Sequence, residues 1–246
     1  MNSEDHQFPQ PKDLDIPVSR YFSFEKFAWL LENERIYLPS LANLEADPFE
    51  GSLPSMDVVQ RAEFLKGIGR QDLEQYYSKR IEHMRRSTYV SCWCLAETES
   101  NAMWRQYCGN DEGVAIRTKY RTLDALLHDK WRIIGLVTYL DYDTDVIPDG
   151  NVRRPFMYKR KEYESEKEVR LVEGYDPFLD PKTFEPVDAS DHREIAIDPN
   201  LLVEEIIIHP NASEEYYKQI ADTVTRVAPE LVDRIRWSNL HGKPQF

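Results

Sequence analysis

Glycine is scarce in this chain, nine in 246 residues. No G-x-x-x-x-G-K-[ST] run occurs, and Gly67-Ile-Gly69 lacks both a third glycine and a preceding apolar strand. A glycine cradle for phosphates is therefore excluded, and any phosphate site must be built from side chains. There is no G-x-S-x-G elbow either. The three cysteines form no disulfide framework and point to a reducing compartment. Cys92-Trp-Cys94 is not a C-x-x-C pair, Cys92 has no histidine nearby in sequence, and none of the six histidines has H-x-x-x-H spacing, so no metal site is expected. No apolar run approaches the roughly 20 residues of a membrane span. The polar, acidic N-terminus reads as no secretory leader, so a cytosolic protein without membrane attachment is expected. Positive charge is also short: 31 Lys and Arg against 44 Asp and Glu leave −13, which disfavours bulk nucleic-acid binding. Lys79-Arg80, Arg85-Arg86 and Arg153-Arg154 read as solvated faces.

What is present is enough apolar surface, 41 % of residues, to bury a core. Residues 1–17 are polar and proline-marked, a flexible arm or a surface strap. Val18–Phe22 reads as a strand, followed by a helix capped by Ser23 with Phe24, Phe27, Ala28 and Leu31 on one face. Arg35–Leu38 is a second strand. Helices over 58–66 and 72–86 form an insertion at about 57–87. Tyr89–Leu95 is a strand, after which Met103, Trp104 and Tyr107 lie on one side of a helix. Further strands are expected at 113–118, 133–142, 167–173, 193–197, 205–209 and 235–237, with helices at 123–127, 155–163 and 213–227. Residues 176–192 read as a loop or hairpin with little internal structure. Strands outnumber strand–helix alternations, which predicts an α+β fold: a mixed, mainly antiparallel sheet, helices clustered in the N-terminal half, and one domain over 18–246.

Four places carry chemistry. Tyr89–Cys108 delivers Ser91 and Cys92 on a strand into a turn and an aromatic helix. Asp47-Pro-Phe-Glu50 reads either as a capped turn or as a pair of carboxylates. Arg20-Tyr21 ends the first strand. In Tyr158–Val172, an extended stretch from Glu166 would put Glu166, Glu168 and Arg170 on one face, with Val169 and Leu171 on the other. Lys159 and Arg160 would arrive from the preceding helix. This is either a salt-bridged sheet face or a site in which a carboxylate orients a hydroxyl while cations hold phosphate oxygens.

Arg20-Tyr-Phe-Ser, Asp47-Pro-Phe-Glu, Ser91-Cys-Trp, Glu99-Ser-x-x-Met-Trp-x-x-Tyr107, Gly113-Val-Ala-Ile, Lys159-Arg with Glu166-x-Glu-x-Arg170, and Ser238-x-Leu240 occur in this order. Over about 19–240 the chain thereby resembles the bacterial family called domain of unknown function 2971, whose name carries no activity. The order of elements is more distantly similar to the ADP-ribosyltransferase fold. That similarity implies NAD as cofactor, with Glu168 or Glu166 meeting ribose hydroxyls and stabilising an oxocarbenium-like transition state, and Ser91 positioning the nicotinamide ribose. It implies Arg20 for cofactor phosphate or ribose; Tyr21, Trp104, Tyr107, Lys159, Arg160 and Arg170 complete the expected ligand set. The long insertion before the Ser91 strand, and Arg20 in place of the histidine variant, depart from that pattern. The leading expectation is an NAD- or nucleotide-using enzyme, as in phage defence or a toxin-like effector. A non-catalytic sensor that binds a protein partner through Trp93, Trp104 and Tyr107 is a second reading. A magnesium-dependent phosphoester hydrolase using Asp47, Glu50, Glu166 and Glu168 is a third.

Overall fold

Alternation along two strands decides how the molecule is layered. In β1 (Pro17–Phe22), Val18 and Phe22 point into the main core while Ser19 and Tyr21 point the other way. In β3 (Thr88–Leu95), Tyr89 and Trp93 join the main core while Val90, Cys92 and Cys94 face opposite. The computed structural model describes residues 8–44, 47–148, 153–174 and 190–242.

Seven strands form the main sheet. Besides β1 and β3 these are β4 (Val114–Lys119), β5 (Arg132–Leu136), β8 (Glu168–Gly174), β10 (Glu205–Ile208) and β11 (Ile235–Trp237). Their order is β11-β10-β4-β1-β3-β8-β5, antiparallel throughout except for the β10–β11 pair. Two small sheets lie beside it. One is the antiparallel pair β2 (Arg35–Pro39) with β9 (His192–Ala196); the other is the parallel pair β6 (Thr138–Leu140) with β7 (Tyr158–Arg160). The fold is α+β, with α1 (Phe24–Asn33), α2 (Ser55–Gly67), α3 (Glu74–Ser87), α4 (Asn101–Cys108) and α5 (Tyr120–Leu127) preceding the short α6 (Pro199–Leu202) and the long α7 (Glu214–Val227).

The main core joins Phe27, Leu30 and Leu31 of α1, Leu123 and Leu127 of α5, and Tyr216, Ile220 and Val224 of α7 to that sheet face. Both α1 and α7 begin on a serine whose hydroxyl accepts an amide of the first turn, Ser23 from Lys26 and Ser213 from Tyr216. The opposite face carries two smaller clusters. One holds Phe8, Leu41, Met84, Val90, Ile133, Phe156, Met157 and Val172; the other holds Tyr21, Cys94, Met103, Trp104, Ala115 and Ile207.

Several expectations are corrected. The 133–142 strand is two strands, because after Leu136 the chain leaves the main sheet to form β6. Of the flexible arm or surface strap expected over 1–17, residues 8–16 form the strap, which closes the outer edge of β5: Phe8 is buried, the Leu136 amide donates to the Pro9 carbonyl, and Gln10 Nε2 donates to the Ile134 carbonyl. Gly135 leaves room for that strap, since a Cβ there would lie 2.9 Å from Phe8 Cβ. No helix spans 155–163; 3-10 turns at Arg154–Met157 and Lys161–Glu166 flank β7 instead. The extended stretch begins at Glu168, and Glu166 closes the second of those turns. Most of the expected 176–192 loop lies outside the described residues, and its last residue, His192, opens β9.

Candidate functional site

Pairing between β1 and β3 stops almost as soon as it starts: only Val18↔Leu95 and Ser19↔Cys94 are in register, whereas β1 stays paired with β4 through Phe22. Beyond Ser19 the sheet splits, and a cleft of about 810 Å³ opens in the split. Because it passes between strands, it gathers side chains from both sheet faces: Arg20 from the main-core side, and Tyr21, Cys92, Cys94 and Glu168 from the other. Lys26 and Trp29 of α1, Tyr37 of β2, Tyr107 of α4, and Glu50, Lys159 and Glu166 complete much of its lining. Size and mixed aromatic–polar lining suit a nucleotide-sized ligand.

One end of the cleft is an ionic cluster. Arg170, with no exposed side-chain surface, grips Glu168 in a fork: Nε donates to Oε1 at 2.6 Å and Nη2 to Oε2 at 2.8 Å, while Nη1 donates to the Phe156 carbonyl at 2.7 Å. Arg170 Nη2 also lies 2.5 Å from Glu50 Oε1, an ion pair outside hydrogen-bond alignment. Lys159 Nζ stands where three carboxylates converge, 2.6 Å from Glu166, 3.5 Å from Glu50 and 3.5 Å from Glu168. Gln106 Nε2 donates to the other Glu166 oxygen at 2.8 Å. Three carboxylates against two cations leave the cluster one negative charge in excess. Burial works to raise the Glu168 pKa, but Arg170 and then Lys159 outweigh it and hold the carboxyl well below the usual range. Burial likewise works to lower the Lys159 pKa, and Glu168 and Glu50 raise it on balance. The Cys92 thiol, beside Glu168, is driven far upward by burial and then by that carboxylate, which leaves it a poor nucleophile.

Local backbone geometry brings the two glutamates together. Lys167 sits in the left-handed region at φ 45°, a conformation costing about 1–2 kcal/mol for a non-glycine residue. Its carbonyl accepts from the Leu95 amide and its own amide donates to the Glu164 carbonyl, so the kink is pinned from both sides. Strain of this kind gathers at functional sites.

The other end is built around Arg20, which is half-buried. Nη1 donates to Ser91 Oγ at 2.7 Å and Nη2 to the Tyr37 carbonyl at 3.1 Å, and the guanidinium lies 5.2 Å from the Phe22 ring centroid. Among the described residues no carboxylate pairs with it. Burial accordingly lowers its pKa from the ordinary arginine value, an effect opposed by Cys92 and Tyr107. A guanidinium has five N–H donors, so several remain for a ligand.

The expected site residues divide as follows. Arg20, Tyr21, Tyr107, Lys159, Glu166 and Glu168 line the cleft. Ser91 is fully buried, its oxygen taken by Arg20 and by Trp93 Nε1 at 3.0 Å, so it fixes Arg20 rather than meeting a ligand. Trp104 is corrected to core: it has no exposed surface and packs edge-on against Tyr21 at 4.8 Å and His209 at 5.1 Å. Arg170 is committed within the cluster. Arg160 forms a bidentate pair with Asp47 and stacks on Phe49 at 4.4 Å, and it does not line the cleft. Asp47 also accepts the Phe49 amide, the capped-turn role read from the sequence. Gln106, Trp29 and Tyr37 escaped sequence reasoning; only Gln106 carried a signal, its place between Trp104 and Tyr107.

Among the described residues no group of three or more His, Cys, Asp or Glu is arranged to hold a metal ion, and no helix is long and apolar enough to cross a membrane. No protein-family model, curated protein or solved structure matches the chain, so the cleft is read from its own residues.

Proposed function

We propose that the cleft binds a nucleotide through its phosphates and ribose, and that the protein is an NAD-using, ADP-ribosyltransferase-like enzyme of the cytosol. The observation that carries this reading is Arg20, a half-buried guanidinium without a carboxylate partner among the described residues, in a chain of net charge −13. Elsewhere, acids are in excess; a cation left without one in a cleft is a place for a ligand's anion. Trp29, Tyr37 and Tyr107 offer aromatic faces for a base, and the carboxylates across the split offer acceptors for ribose hydroxyls.

In this reading the glycosidic bond between ribose C1′ and the nicotinamide nitrogen breaks and its electron pair leaves with nicotinamide. An acceptor nucleophile, or water, then forms the new bond to C1′ and loses its proton. The excess negative charge of the cluster supports the oxocarbenium-like centre, and Glu166 or Glu168 holds the ribose. Membership of the domain of unknown function 2971 family, and action in phage defence or as a toxin-like effector, belong to the same proposal.

The test is a thermal-shift panel with NAD, ADP-ribose, ATP, GTP and magnesium, followed by turnover of labelled NAD. The reading expects NAD and ADP-ribose to raise the melting point, since a ligand that binds only the native state stabilises it. Turnover that survives both Glu166→Gln and Glu168→Gln contradicts it. The partner-binding reading keeps one observation of its own: α2 buries Leu65 alone and leaves Val58, Val59 and Phe64 exposed. It prevails if no nucleotide shifts the melting point and a protein co-purifies. The hydrolase reading loses ground, because Lys159 occupies the point where Glu50, Glu166 and Glu168 would meet a magnesium ion.

A further inference from the structure

We infer that Glu166, and not Glu168, is the carboxylate that meets the ligand's ribose hydroxyls, with Gln106 and Lys159 as its positioning residues. This rests on the nucleotide reading above and decides between two glutamates that line the same cleft. A carboxylate offers about four lone-pair sites. Glu168 uses three of them, one on Oε1 and both on Oε2, for the Arg170 fork and Lys159 Nζ. A pair of hydroxyls approaching both its oxygens would have to displace a charge-assisted bond already made. Glu166 accepts one bond per oxygen, from Gln106 Nε2 at 2.8 Å and Lys159 Nζ at 2.6 Å. One lone-pair site on each oxygen is left, enough for a pair of vicinal hydroxyls. Glu50 is the remaining carboxylate, but its Oε1 is sealed from the cleft beside Arg170.

The two partners also fix how Glu166 points. Lys159 is anchored by Glu50 and Glu168, so Glu168 serves Glu166 indirectly by holding its cation in place. Gln106 comes from the exposed side of α4, nearly two turns past the serine that caps that helix. The helix that buries Met103 and Trp104 thus also aims an amide at the working carboxylate.

Isothermal titration of ADP-ribose, with ADP as the same phosphates lacking the terminal ribose, tests this. Wild type is expected to prefer ADP-ribose by about tenfold, the worth of hydrogen bonds to a charged acceptor. Glu166→Gln should fold normally and bind the two ligands alike. Glu168→Gln, assayed below its melting point, should keep the preference. Gln106→Leu changes an exposed residue, so its fold is secure; it should reduce the preference by about threefold, which a purely structural role would not do. A preference surviving in Glu166→Gln, lost only in Glu168→Gln, or absent from wild type while both ligands bind, overturns the inference alone. A wild-type protein that binds neither ligand overturns the nucleotide reading beneath it.

Discussion

Arg20 and Arg170 belong to the same sheet and serve the same cleft, yet their surroundings are opposite. Arg170 is sealed from solvent and answered by two carboxylates and a carbonyl. Arg20 is half-buried and answered by a hydroxyl and a carbonyl. A guanidinium with its acids in place is part of the scaffold; one with only neutral acceptors is still open to an anion. Sequence position does not separate the two. Their neighbours do, and those neighbours come from distant segments: Glu50 for one, Ser91 and Tyr37 for the other.

The comparison can be broken most forcibly at the scaffold end. Arg170→Leu leaves Glu50 and Glu168 buried with only Lys159 to answer them, and should destabilise the protein by about 3–5 kcal/mol in urea denaturation. Stability nearly equal to wild type would mean the cluster is hydrated or protonated. Next comes acid. Glu168 has its folded-state pKa lowered from 4.5 to about 2, so the unfolded chain takes up the proton first as pH falls. Its stabilisation, on the order of 3 kcal/mol, is complete above about pH 5 and is lost as pH falls toward 2. Glu168→Gln should flatten that part of the stability profile, and an unchanged slope would place the acid sensitivity elsewhere. Ser91→Ala comes third: it removes the acceptor shared by Arg20 and Trp93 and should cost about 1–3 kcal/mol while loosening Arg20. Arg20→Gln is the mildest for the fold, within about 1 kcal/mol, because it breaks no ion pair among the described residues.

How much of this was legible in the sequence follows from the range of the forces involved. Periodicity placed α1, α7 and most of the main sheet, because alternation and 3.6-residue stripes are local properties. It failed at 133–142 and 155–163, where local pattern does not reveal that a strap will claim the edge of β5 or that the chain changes sheets. Glu168 and Arg170 on one strand face, with Val169 and Leu171 on the other, were readable because spacing alone decides them. That Glu166 would join through a left-handed Lys167 was not. The Glu99-Ser-x-x-Met-Trp-x-x-Tyr stretch looked like one functional unit, yet its residues separate in the fold. Glu99 accepts bonds from Arg236, Ser238 and the Asn239 amide, pinning the β11 end. Ser100 caps α4, Trp104 fills the core, and Met103 and Tyr107 line the cleft. Tyr37 contributes a backbone carbonyl to Arg20, and no side-chain motif announces a carbonyl.

The most direct test of the division between the two arginines is the affinity of Arg20→Gln for ADP-ribose, measured by isothermal titration beside its melting temperature. The account predicts a melting temperature close to wild type and an affinity lower by about a hundredfold, as befits the loss of a charge-assisted phosphate contact. An Arg20→Gln protein that binds ADP-ribose as tightly as wild type would contradict it.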